Sequence, residues 1–238
     1  IVFMVKSSLK KLKNFLRRKV TQYFRGGYYA INDLDKKLES FLPHRNGFYV
    51  ELGANNGYDQ SNSYYFQLKK GWRGVLVEPL ISKYKECINI RGRKNKVHNN
   101  VCVPFDFNDE YVEIYDANLM SVSLIGGDLP NIKNHLDQAM NLMNEVQTIN
   151  KIKVKAKTLN EILIESKAPY TIDFLSLDVE GSEIQVLKGI DHNKYRFKYI
   201  LVETRSFHLI SSFLESNSYN YIQQLSKHDY LFKLDNLT

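Results

Sequence analysis

The sequence predicts an α/β protein built on a mostly parallel sheet, because short apolar strands alternate with helical stretches. The first such strand is Phe48–Leu52, which runs into Gly53. The second is Gly74–Val77, which ends at Glu78, and the third is Ile172–Leu177, which is followed by three carboxylates within six residues. Loops that follow parallel strands meet at one edge of an open sheet, so these three strand ends are expected to converge on one crevice.

The loop after the first strand has the composition of a ligand-binding turn. Gly53 follows the strand directly, and Gly57 closes the loop. A glycine where a strand ends permits a tight turn and lets backbone N–H groups approach a ligand without a Cβ in the way. Glu78, at the tip of the second strand, is placed to accept hydrogen bonds from a ribose diol. Together these features indicate a nucleotide-type cofactor, with a purely structural turn as the alternative.

The glycine spacing distinguishes two classes of cofactor. Dinucleotide sites favour Gly-x-Gly-x-x-Gly, whereas this loop reads Glu51-x-Gly53-x-x-x-Gly57, with Asn55 in place of a middle glycine. The loop resembles the first motif of class I S-adenosylmethionine-dependent methyltransferases. In that motif the amino-acid part of the cofactor lies across the glycine loop, and the ribose lies against the acid after the second strand.

The composition is that of one globular domain. The chain has 238 residues, 43% of them hydrophobic, which suffices to bury a core and excludes a disordered chain. Two cysteines in a chain of this size favour a reducing compartment, the cytoplasm, over a disulfide framework. No apolar run approaches the roughly 20 residues of a membrane span, and Ile1–Val5 is too short for a signal-peptide core.

Positive charge is concentrated at the start of the chain. Residues 1–25 hold eight basic residues and no acid, so this arm carries +8; because the whole chain carries +7, the remainder sums to −1. Apolar residues recur there at helical spacing, which predicts an amphipathic helix with a basic surface. We therefore divide the chain into a basic arm, 1–27, and a domain, 28–238. The apolar stripe of the arm consists of Leu9, Leu12, Leu16, Val20 and Tyr23.

The arm has two interpretations. A basic amphipathic helix can attach to an anionic membrane surface, which would hold the protein at the inner face of a membrane. The alternative is a helix packed on the body or on a partner chain, with its lysines solvated. Nucleic acid is not expected as a partner, because the basic excess stops at the arm.

Local signals predict the elements of the first half. Asn32 serves as the N-cap of the first helix, and Gly71 ends the second. The predicted elements are a helix over Asp33–Phe41, a helix over Gln60–Lys70, the second strand within Trp72–Glu78 and a helix over Lys83–Arg91.

The pattern changes in the middle of the chain. Val97–Phe107 and Tyr111–Tyr115 are extended runs joined by a turn, which predicts a hairpin. Residues 116–150 form an insertion, with a small-residue loop at Met120–Gly127 and an amphipathic helix over 132–146. Such an insertion is often a lid or a substrate-binding piece, and a simple surface helix is the alternative.

The second half returns to alternating helices and strands. Thr158-Leu-Asn-Glu161 is a capping box that opens a helix through about Glu165. The later elements are a helix that ends at Lys188-Gly189, a strand at Tyr199–Glu203 and an antiparallel pair at Tyr219–Gln223 and Tyr230–Lys233.

Acidic residues at the strand ends are the candidates for chemistry. Adjacent acids raise one another's pKa, which suits a base for a hydroxyl, or they hold a divalent cation such as Mg²⁺ or Mn²⁺. We assign these roles to Asp178 and Glu180, because Glu183 lies in the first turn of a helix, where an acid complements the dipole. Glu203 tips the next strand, and His208 after it is either a further base or structural. Zinc is disfavoured, because the two cysteines lack ligand spacing.

Several stretches together resemble the FkbM family of methyltransferases. The resemblance runs from about residue 44 to 235 and covers the body but not the arm. The most specific stretch is Asp178-Val-Glu-Gly-Ser-Glu183 followed by Val186-Leu-Lys-Gly189. The others are Gly47–Gly57, Ser61-Asn62, Gly71–Pro79, Asn100–Val103, Thr158-Leu159 and Asp173–Leu177.

The resemblance implies a Rossmann-like class I methyltransferase fold. Its sheet has seven mostly parallel strands with an antiparallel C-terminal strand, and helices cover both faces. The implied reaction is transfer of a methyl group from S-adenosylmethionine to oxygen, commonly a sugar hydroxyl in a glycan, glycolipid or natural product. In-line displacement would rely on positioning of the acceptor, aided by a carboxylate or a metal ion near its hydroxyl.

The resemblance also assigns the cofactor contacts. Glu78 and Pro79 would lie at the ribose, and Asn100 and Val101 at the adenine. Departures from the family pattern are Asn56, where Asp is frequent, and Cys102, whose larger side chain would narrow the adenine pocket. The residues implied at the methionine end are Glu51, Gly53, Ala54, Asn55 and Gly57, joined by Ser61, Asn62 and Asp178.

Two other functions stay open at the level of sequence. One is a nicotinamide-dependent Rossmann oxidoreductase, against which the missing middle glycine speaks. The other is a non-catalytic binding module of the same fold, attached to a membrane through the arm. A test of whether the protein binds S-adenosylmethionine or NAD distinguishes the methyltransferase from the oxidoreductase. Turnover to S-adenosylhomocysteine distinguishes the methyltransferase from the binding module.

Overall fold

Seven strands form the central sheet of the computed structural model, which describes residues 27–116, 122–123 and 150–235. A second sheet of four short strands stands beside it. The strands are β1 (Phe48–Leu52), β2 (Arg73–Val77), β3 (Lys96–His98), β4 (Val101–Cys102), β5 (Tyr111–Asp116), β6 (Val122–Ser123), β7 (Asn150–Lys157), β8 (Thr171–Leu177), β9 (Arg196–Glu203), β10 (Tyr219–Gln224) and β11 (Asp229–Leu234). The helices are α1 (Leu34–Leu38), α2 (Tyr64–Lys70), α3 (Ile81–Arg91), α4 (Leu159–Glu165), α5 (Glu183–Leu187) and α6 (Phe207–Ser216).

The strand order of the central sheet places a crevice at its middle. The order is β10-β11-β9-β8-β1-β2-β3, with β1, β2, β3, β8 and β9 parallel and β11 antiparallel to both of its neighbours. The chain leaves β1 toward one edge and returns at β8 to build the other half. Ligands of open α/β sheets bind outside the carboxyl ends of the strands at such a reversal. The predicted seven-stranded, mostly parallel sheet is confirmed.

Both faces of this sheet are covered by helices, as predicted. Side chains alternate between the faces of a strand, so Val50 and Leu52 of β1 join one core and Tyr49 joins the other. The first core is completed by α4, α5 and α6, for example through Ile184. The second is completed by α1, α2 and α3, for example through Phe66. Burial on both faces explains why the central strands are nearly continuous apolar runs.

The second sheet corrects the predicted hairpin. Its order is β4-β7-β5-β6, so β7 lies between the two runs that were expected to pair. The first run also divides, with β3 in the central sheet and β4 in the second sheet. Pro104 follows β4 and has no N–H with which to continue a ladder. The longer β7 pairs with β5 over six residue pairs, a register that the two-residue β4 cannot match.

Three helix starts differ from the prediction, and one of them, α3, begins at Ile81, two residues before the predicted Lys83. Asn32 and Asp33 both have left-handed backbones, with φ of 55° each, so α1 begins at Leu34, ends at Leu38 and lacks a side-chain cap. α2 begins at Tyr64 instead of Gln60, because Gln60 is also left-handed at φ 66°. Propensity alone does not reveal these backbone constraints.

Other local predictions are confirmed. Gly71 ends α2 in a left-handed conformation at φ 72°. Thr158 and Glu161 form the complete capping box at the start of α4, since the Thr158 Oγ1 accepts the Glu161 N–H at 3.1 Å and the Glu161 carboxylate accepts the Thr158 N–H at 2.8 Å. β10 and β11 form the predicted antiparallel pair. Cys87 and Cys102 are free and buried.

Some predictions lie outside the described residues. They are the basic arm up to residue 26 and the inserted helix over 132–146. Val122–Ser123, within the predicted loop at Met120–Gly127, instead forms β6 against β5. Among the residues that the structure describes, no helix is both long and apolar enough to cross a bilayer.

Candidate active site

A cavity of about 420 Å³ lies at the carboxyl ends of β1, β2, β8 and β9. The strand topology therefore brings the three predicted strand ends together. The second sheet adds Val101, Cys102 and Ile114 to its wall, and the segment before α1 adds Ile31, Asn32 and Leu34. The lining residues that sequence analysis proposed are Glu51, Gly53, Ala54, Asn55, Ser61, Asn62, Glu78, Pro79, Asn100, Val101, Asp178, Glu180 and Glu203.

Gly53 joins the glycine loop to the end of β8. Its φ is +73°, and a Cβ there would lie 1.9 Å from the Asp178 carbonyl oxygen. The N–H groups of Gly53 and Ala54 both donate to the Val77 carbonyl oxygen at 3.1 Å, which ties the loop to β2. Only glycine permits this approach. The tight loop leaves Gly53 exposed at the cavity.

Gly57 serves a different purpose. A Cβ at Gly57, where φ is +77°, would lie 2.8 Å from the Cys87 Sγ and 2.9 Å from the Arg91 Cγ. The structure places this glycine against α3, away from the cavity wall. The positive φ and the close packing against α3 therefore explain why the motif has a glycine at position 57.

Glu78 fixes the loop from the side of β2. One carboxylate oxygen accepts the Asn55 N–H at 2.8 Å, and the other accepts the Leu80 N–H at 2.8 Å. The Glu78 side chain is buried but lines the cavity. A carboxylate oxygen has a second lone pair, so Glu78 can accept a further hydrogen bond from a bound diol.

Glu51 is engaged by a buried network. Its carboxylate pairs with the Arg91 guanidinium at 2.7 Å and accepts the Ser63 hydroxyl at 2.5 Å. It also accepts the Ser61 hydroxyl and the Asn62 N–H, each at 2.9 Å. This network clamps residues 61–63 to β1 and α3. Glu51 thus positions the residues around it at the cavity wall.

Two amide oxygens at the cavity have no partner. The Oδ1 atoms of Asn55 and Asn62 are buried and accept no hydrogen bond from any residue that the structure describes. The Asn62 amide nitrogen donates to the Ser176 hydroxyl at 3.0 Å, which fixes the side chain. An unsatisfied buried acceptor costs about 1–3 kcal/mol. These oxygens suit the ammonium group of an amino-acid moiety, so the cavity fits S-adenosylmethionine at this end.

The wall that would hold the adenine, at the end of the cofactor site away from Asn55 and Asn62, is apolar apart from one amide side chain. Asn100 is buried, and its amide nitrogen donates to the Lys155 carbonyl oxygen at 3.1 Å. Val101 and Cys102 continue the wall along β4. Burial raises the pKa of the Cys102 thiol to about 12, so it stays neutral and acts as a small apolar side chain. Such a wall suits a planar adenine.

The other end of the cavity is strongly acidic. The carboxyl groups of Asp178 and Glu203 both line this end and lie close enough to affect each other's pKa. Burial, followed by the charges of Glu203 and Glu180, raises the pKa of Asp178 well above its usual range. Burial and Glu203 also raise the pKa of Glu180 to about 7, against the opposing charge of Arg205. Near neutral pH these interacting carboxyl groups therefore retain at least one proton between them.

Asp229 is a member of this cluster that sequence analysis missed. It is buried, accepts a hydrogen bond from the Ser226 hydroxyl, and lies directly opposite Glu203 in the β9–β11 register. Its charge helps to raise the pKa of Glu203, for which desolvation by the surrounding groups is the larger cause, although the residue is exposed at the cavity. Because β11 is antiparallel to β9, it begins at the edge of the sheet where β9 ends. An acid at the first residue of the last predicted strand was therefore the signal available in the sequence.

Glu183 and His208 take other positions. The Glu183 carboxylate accepts the Gly181 N–H at 2.7 Å in the first turn of α5, in keeping with the predicted helix-start role. His208 is exposed on α6, with its ring 5.5 Å from that of Phe207. The structure does not bring His208 to the cavity wall. The described residues also contain no group of three or more His, Cys, Asp or Glu arranged to hold a metal ion.

The strand order, the glycine loop and the acid after β2 define a class I S-adenosylmethionine-dependent methyltransferase fold. Comparison with protein families agrees: the model of the methyltransferase FkbM domain matches residues 51–232. The chain therefore belongs to the FkbM methyltransferase family. It is an S-adenosylmethionine-dependent methyltransferase, and this membership sets aside the nicotinamide-dependent oxidoreductase.

Similar solved structures include three methyltransferases, each with a TM-score of 0.43. An FkbM methyltransferase from Methylobacillus flagellatus is 16% identical, and the match covers 79% of this chain and 43% of that chain. A TehB-like S-adenosylmethionine-dependent methyltransferase from Corynebacterium glutamicum is 9% identical over 94% and 97%. The 1,6-didemethyltoxoflavin-N1-methyltransferase from Burkholderia thailandensis, solved with S-adenosylhomocysteine, is 10% identical over 95% and 90%. A search of curated sequences found no match.

Proposed function

We propose that this protein methylates a hydroxyl group of a sugar in a glycan, glycolipid or related natural product. The observation that supports it is the cluster of carboxyl groups, Asp178, Glu180 and Glu203, that lines the cavity beside the glycine loop. Because Gly53 abuts the Asp178 backbone, the acidic end of the cavity begins where the cofactor loop ends. An acceptor bound against these acids would lie next to the methyl donor.

The cofactor would be held by residues already fixed in place. Gly53 gives the loop its close turn, and the Asn55 and Asn62 oxygens would accept from the ammonium group. Glu78 would accept from the ribose, and Asn100 with Val101 would flank the adenine. When bound, S-adenosylmethionine supplies an electrophilic methyl group and leaves as S-adenosylhomocysteine.

The acidic cluster would bind and deprotonate the acceptor. A sugar hydroxyl is a weak nucleophile, so a carboxylate that takes its proton as the new C–O bond forms accelerates the transfer. A pKa of about 7 makes Glu180 a base that is available near neutral pH. Asp178 and Glu203, which line the same end of the cavity, would orient the hydroxyl through hydrogen bonds to it.

The acceptor class follows from the same chemistry. Carboxylates accept hydrogen bonds from the neighbouring hydroxyls of a sugar without needing a charge on the ligand. A strongly anionic acceptor would be repelled by four clustered acids, Asp178, Glu180, Glu203 and Asp229. A neutral polyhydroxylated acceptor therefore suits this end of the cavity.

The test is turnover by the full chain with S-adenosylmethionine carrying a labelled methyl group. Neutral monosaccharides and oligosaccharides serve as acceptors, and S-adenosylhomocysteine and the methyl ether are measured together. We expect label in a sugar ether for at least one acceptor. Tight binding of S-adenosylhomocysteine by calorimetry with no transfer to any hydroxyl would instead favour the non-catalytic binding module, and transfer only to nitrogen would overturn the O-methyl assignment.

A further inference from the structure

A cluster of aromatic rings stands at the surface beside the acidic end of the cavity. We define this aromatic surface by Phe207, Tyr221 and Tyr230. The Phe207 ring centre lies 4.6 Å from that of Tyr230 and 5.2 Å from that of Tyr221. Tyr221 is 41% exposed, and the other two are half-buried, so the rings present apolar area to solvent.

This surface is anchored on the core. The fully buried Phe232 lies beneath it, with its ring 5.8 Å from Tyr221 and 6.4 Å from Phe207. Such support fixes the rings without covering their outer faces. Rigid aromatic side chains bind a ligand at a low cost in conformational entropy.

Two rings of the aromatic surface are carried by elements that adjoin the candidate active site, β11 and the start of α6. Phe207 follows Glu203 by four residues, and the intervening Arg205 carries a charge that acts on both Glu203 and Glu180. Tyr230 directly follows Asp229, which lines the cavity, and pairs in the sheet with Val202, the residue before Glu203. A chain molecule that leaves the acidic end at Glu203 would next meet these rings.

Two polar groups at the rings, the Gln224 amide and the Tyr230 hydroxyl, suit a sugar ligand. The exposed Gln224 amide lies 3.4 Å from the Tyr230 hydroxyl. Pyranose rings have an apolar C–H face that stacks on aromatic rings and a hydroxyl edge that bonds to amides and phenols. Tyrosine combines both functions in one side chain.

We infer that Phe207, Tyr221 and Tyr230 form a subsite for the sugar residue adjoining the one that is methylated. The acceptor would then be an oligosaccharide or polysaccharide, and a free monosaccharide would bind less tightly. This inference rests on the proposed sugar acceptor and adds the subsite to it.

The test uses the full chain with neutral hexasaccharides (maltohexaose, cellohexaose, laminarihexaose and chitohexaose) and the corresponding monosaccharides. Tyr221→Ala removes the most exposed ring, and Tyr221→Phe keeps it. Tyr170→Ala is the matched control, because Tyr170 is 64% exposed and its ring also contacts another ring, that of Tyr195. Tyr170 directly precedes β8, so it lies at the amino ends of the parallel strands, away from the cavity at their carboxyl ends. KM and kcat for methyl transfer are measured for each acceptor.

We expect the wild type to prefer a hexasaccharide. Tyr221→Ala should raise the KM for it about tenfold, the scale of a lost aromatic contact, while kcat, the KM for the monosaccharide and S-adenosylhomocysteine affinity stay unchanged. Tyr221→Phe and Tyr170→Ala should behave as wild type.

Opposite results separate the two claims. Methyl transfer to sugars with equal KM in Tyr221→Ala and wild type, or equal efficiency on hexasaccharide and monosaccharide, removes the subsite and leaves the proposed function intact. Transfer to no sugar at all removes both. If Tyr221→Ala loses its folded circular-dichroism signal, Gln224→Ala at the rim takes its place with the same expectation for the hexasaccharide KM.

Discussion

The backbone of Gly53 lies so close to the carbonyl oxygen of Asp178 that no Cβ fits between them, since a Cβ on Gly53 would lie 1.9 Å from that oxygen. This contact couples the loop assigned to the cofactor with the first acid of the cluster assigned to the acceptor. The two halves of the reaction are therefore held by one piece of backbone packing.

Gly53→Ala should disrupt this contact. We expect a loss of about 2–5 kcal/mol in the free energy of unfolding, from the left-handed backbone and the overpacking together, and weaker S-adenosylhomocysteine binding. Chemical denaturation and calorimetry measure the two effects. Gly92→Ala is the control, because Gly92 also has a positive φ, +69°, but no atom of the described residues lies within 4 Å of a Cβ there. Equal losses in both variants would show that the Asp178 contact contributes nothing.

Glu78→Ala should weaken cofactor binding. A hydrogen bond to a charged group contributes roughly 1.5–3 kcal/mol, and Glu78 also holds the Asn55 N–H at 2.8 Å. We expect the dissociation constant for S-adenosylhomocysteine to rise accordingly, as measured by calorimetry. Unchanged affinity would remove Glu78 from the ribose role.

Asp178→Asn should affect chemistry more than binding. The amide keeps the size of the side chain and can still form hydrogen bonds, but it cannot accept a proton or bind a cation well. We expect methyl transfer to fall by ~10²–10⁴-fold while S-adenosylhomocysteine affinity changes far less. Wild-type turnover by the variant would remove Asp178 from the reaction and leave Glu180 and Glu203 to act on the acceptor.

Chelation of the wild type separates the two roles that remain for Asp178 and Glu180. Activity that is lost with chelator and restored by Mg²⁺ or Mn²⁺ would identify them as metal ligands. Activity that is indifferent to chelator would support the role of base.

The pH dependence follows from Glu180. Burial raises its folded-state pKa from 4.5 to about 7, so the carboxylate needed as a base is lost as pH falls through about 7. We expect kcat to rise with pH through this range and Glu180→Gln to remove that rise. A wild-type profile that is flat between pH ~5.5 and ~8.5 would argue against Glu180 as the base.

The same shift predicts an effect on stability. A carboxyl whose folded pKa is raised stabilises the fold when protonated, and this contribution disappears as pH rises from about 4.5 to about 7. Glu180→Gln should therefore raise the melting temperature at pH ~8 and not at pH ~4, which thermal unfolding at the two pH values can check.

The basic arm gives a prediction about partners. If residues 1–25 bind anionic lipid, their deletion should abolish association with phosphatidylserine-containing vesicles and leave cofactor binding intact. Each basic residue near such a surface contributes on the order of 1 kcal/mol, so vesicle binding by the full chain should fall with added salt. Retained, salt-insensitive binding by the shortened chain would place any membrane contact elsewhere.

Sequence reasoning located the parallel strand ends because each bears its own local signal. A strand that runs into Gly53, Glu78 or Asp178 reveals both the strand and the residue at its tip. The capping box at Thr158 and the left-handed Gly71 are equally local, and both were confirmed.

What sequence reasoning missed depends on long-range pairing. Asp229 reaches the cluster only because β11 runs antiparallel to β9, and the separation of β4 from β5 depends on β7 inserting between them. Asn32 appeared to be a helix cap, yet its left-handed backbone places it at the cavity instead. Gly57 matched a cofactor motif, although its contacts are with α3.

The left-handed residues have a practical consequence for finding the acceptor. Four residues that line the cavity have a positive φ, a conformation that is unfavourable for residues other than glycine. They are Asn32, Asn55, Gln60 and Glu180. Two amide oxygens at the same wall accept no hydrogen bond from the described residues, so a ligand that donates to them would stabilise the folded protein there. Any compound that binds only the folded protein stabilises it by RT ln(1 + [L]/Kd). A melting-temperature screen of glycans with S-adenosylhomocysteine present can therefore rank acceptors before a single turnover is measured.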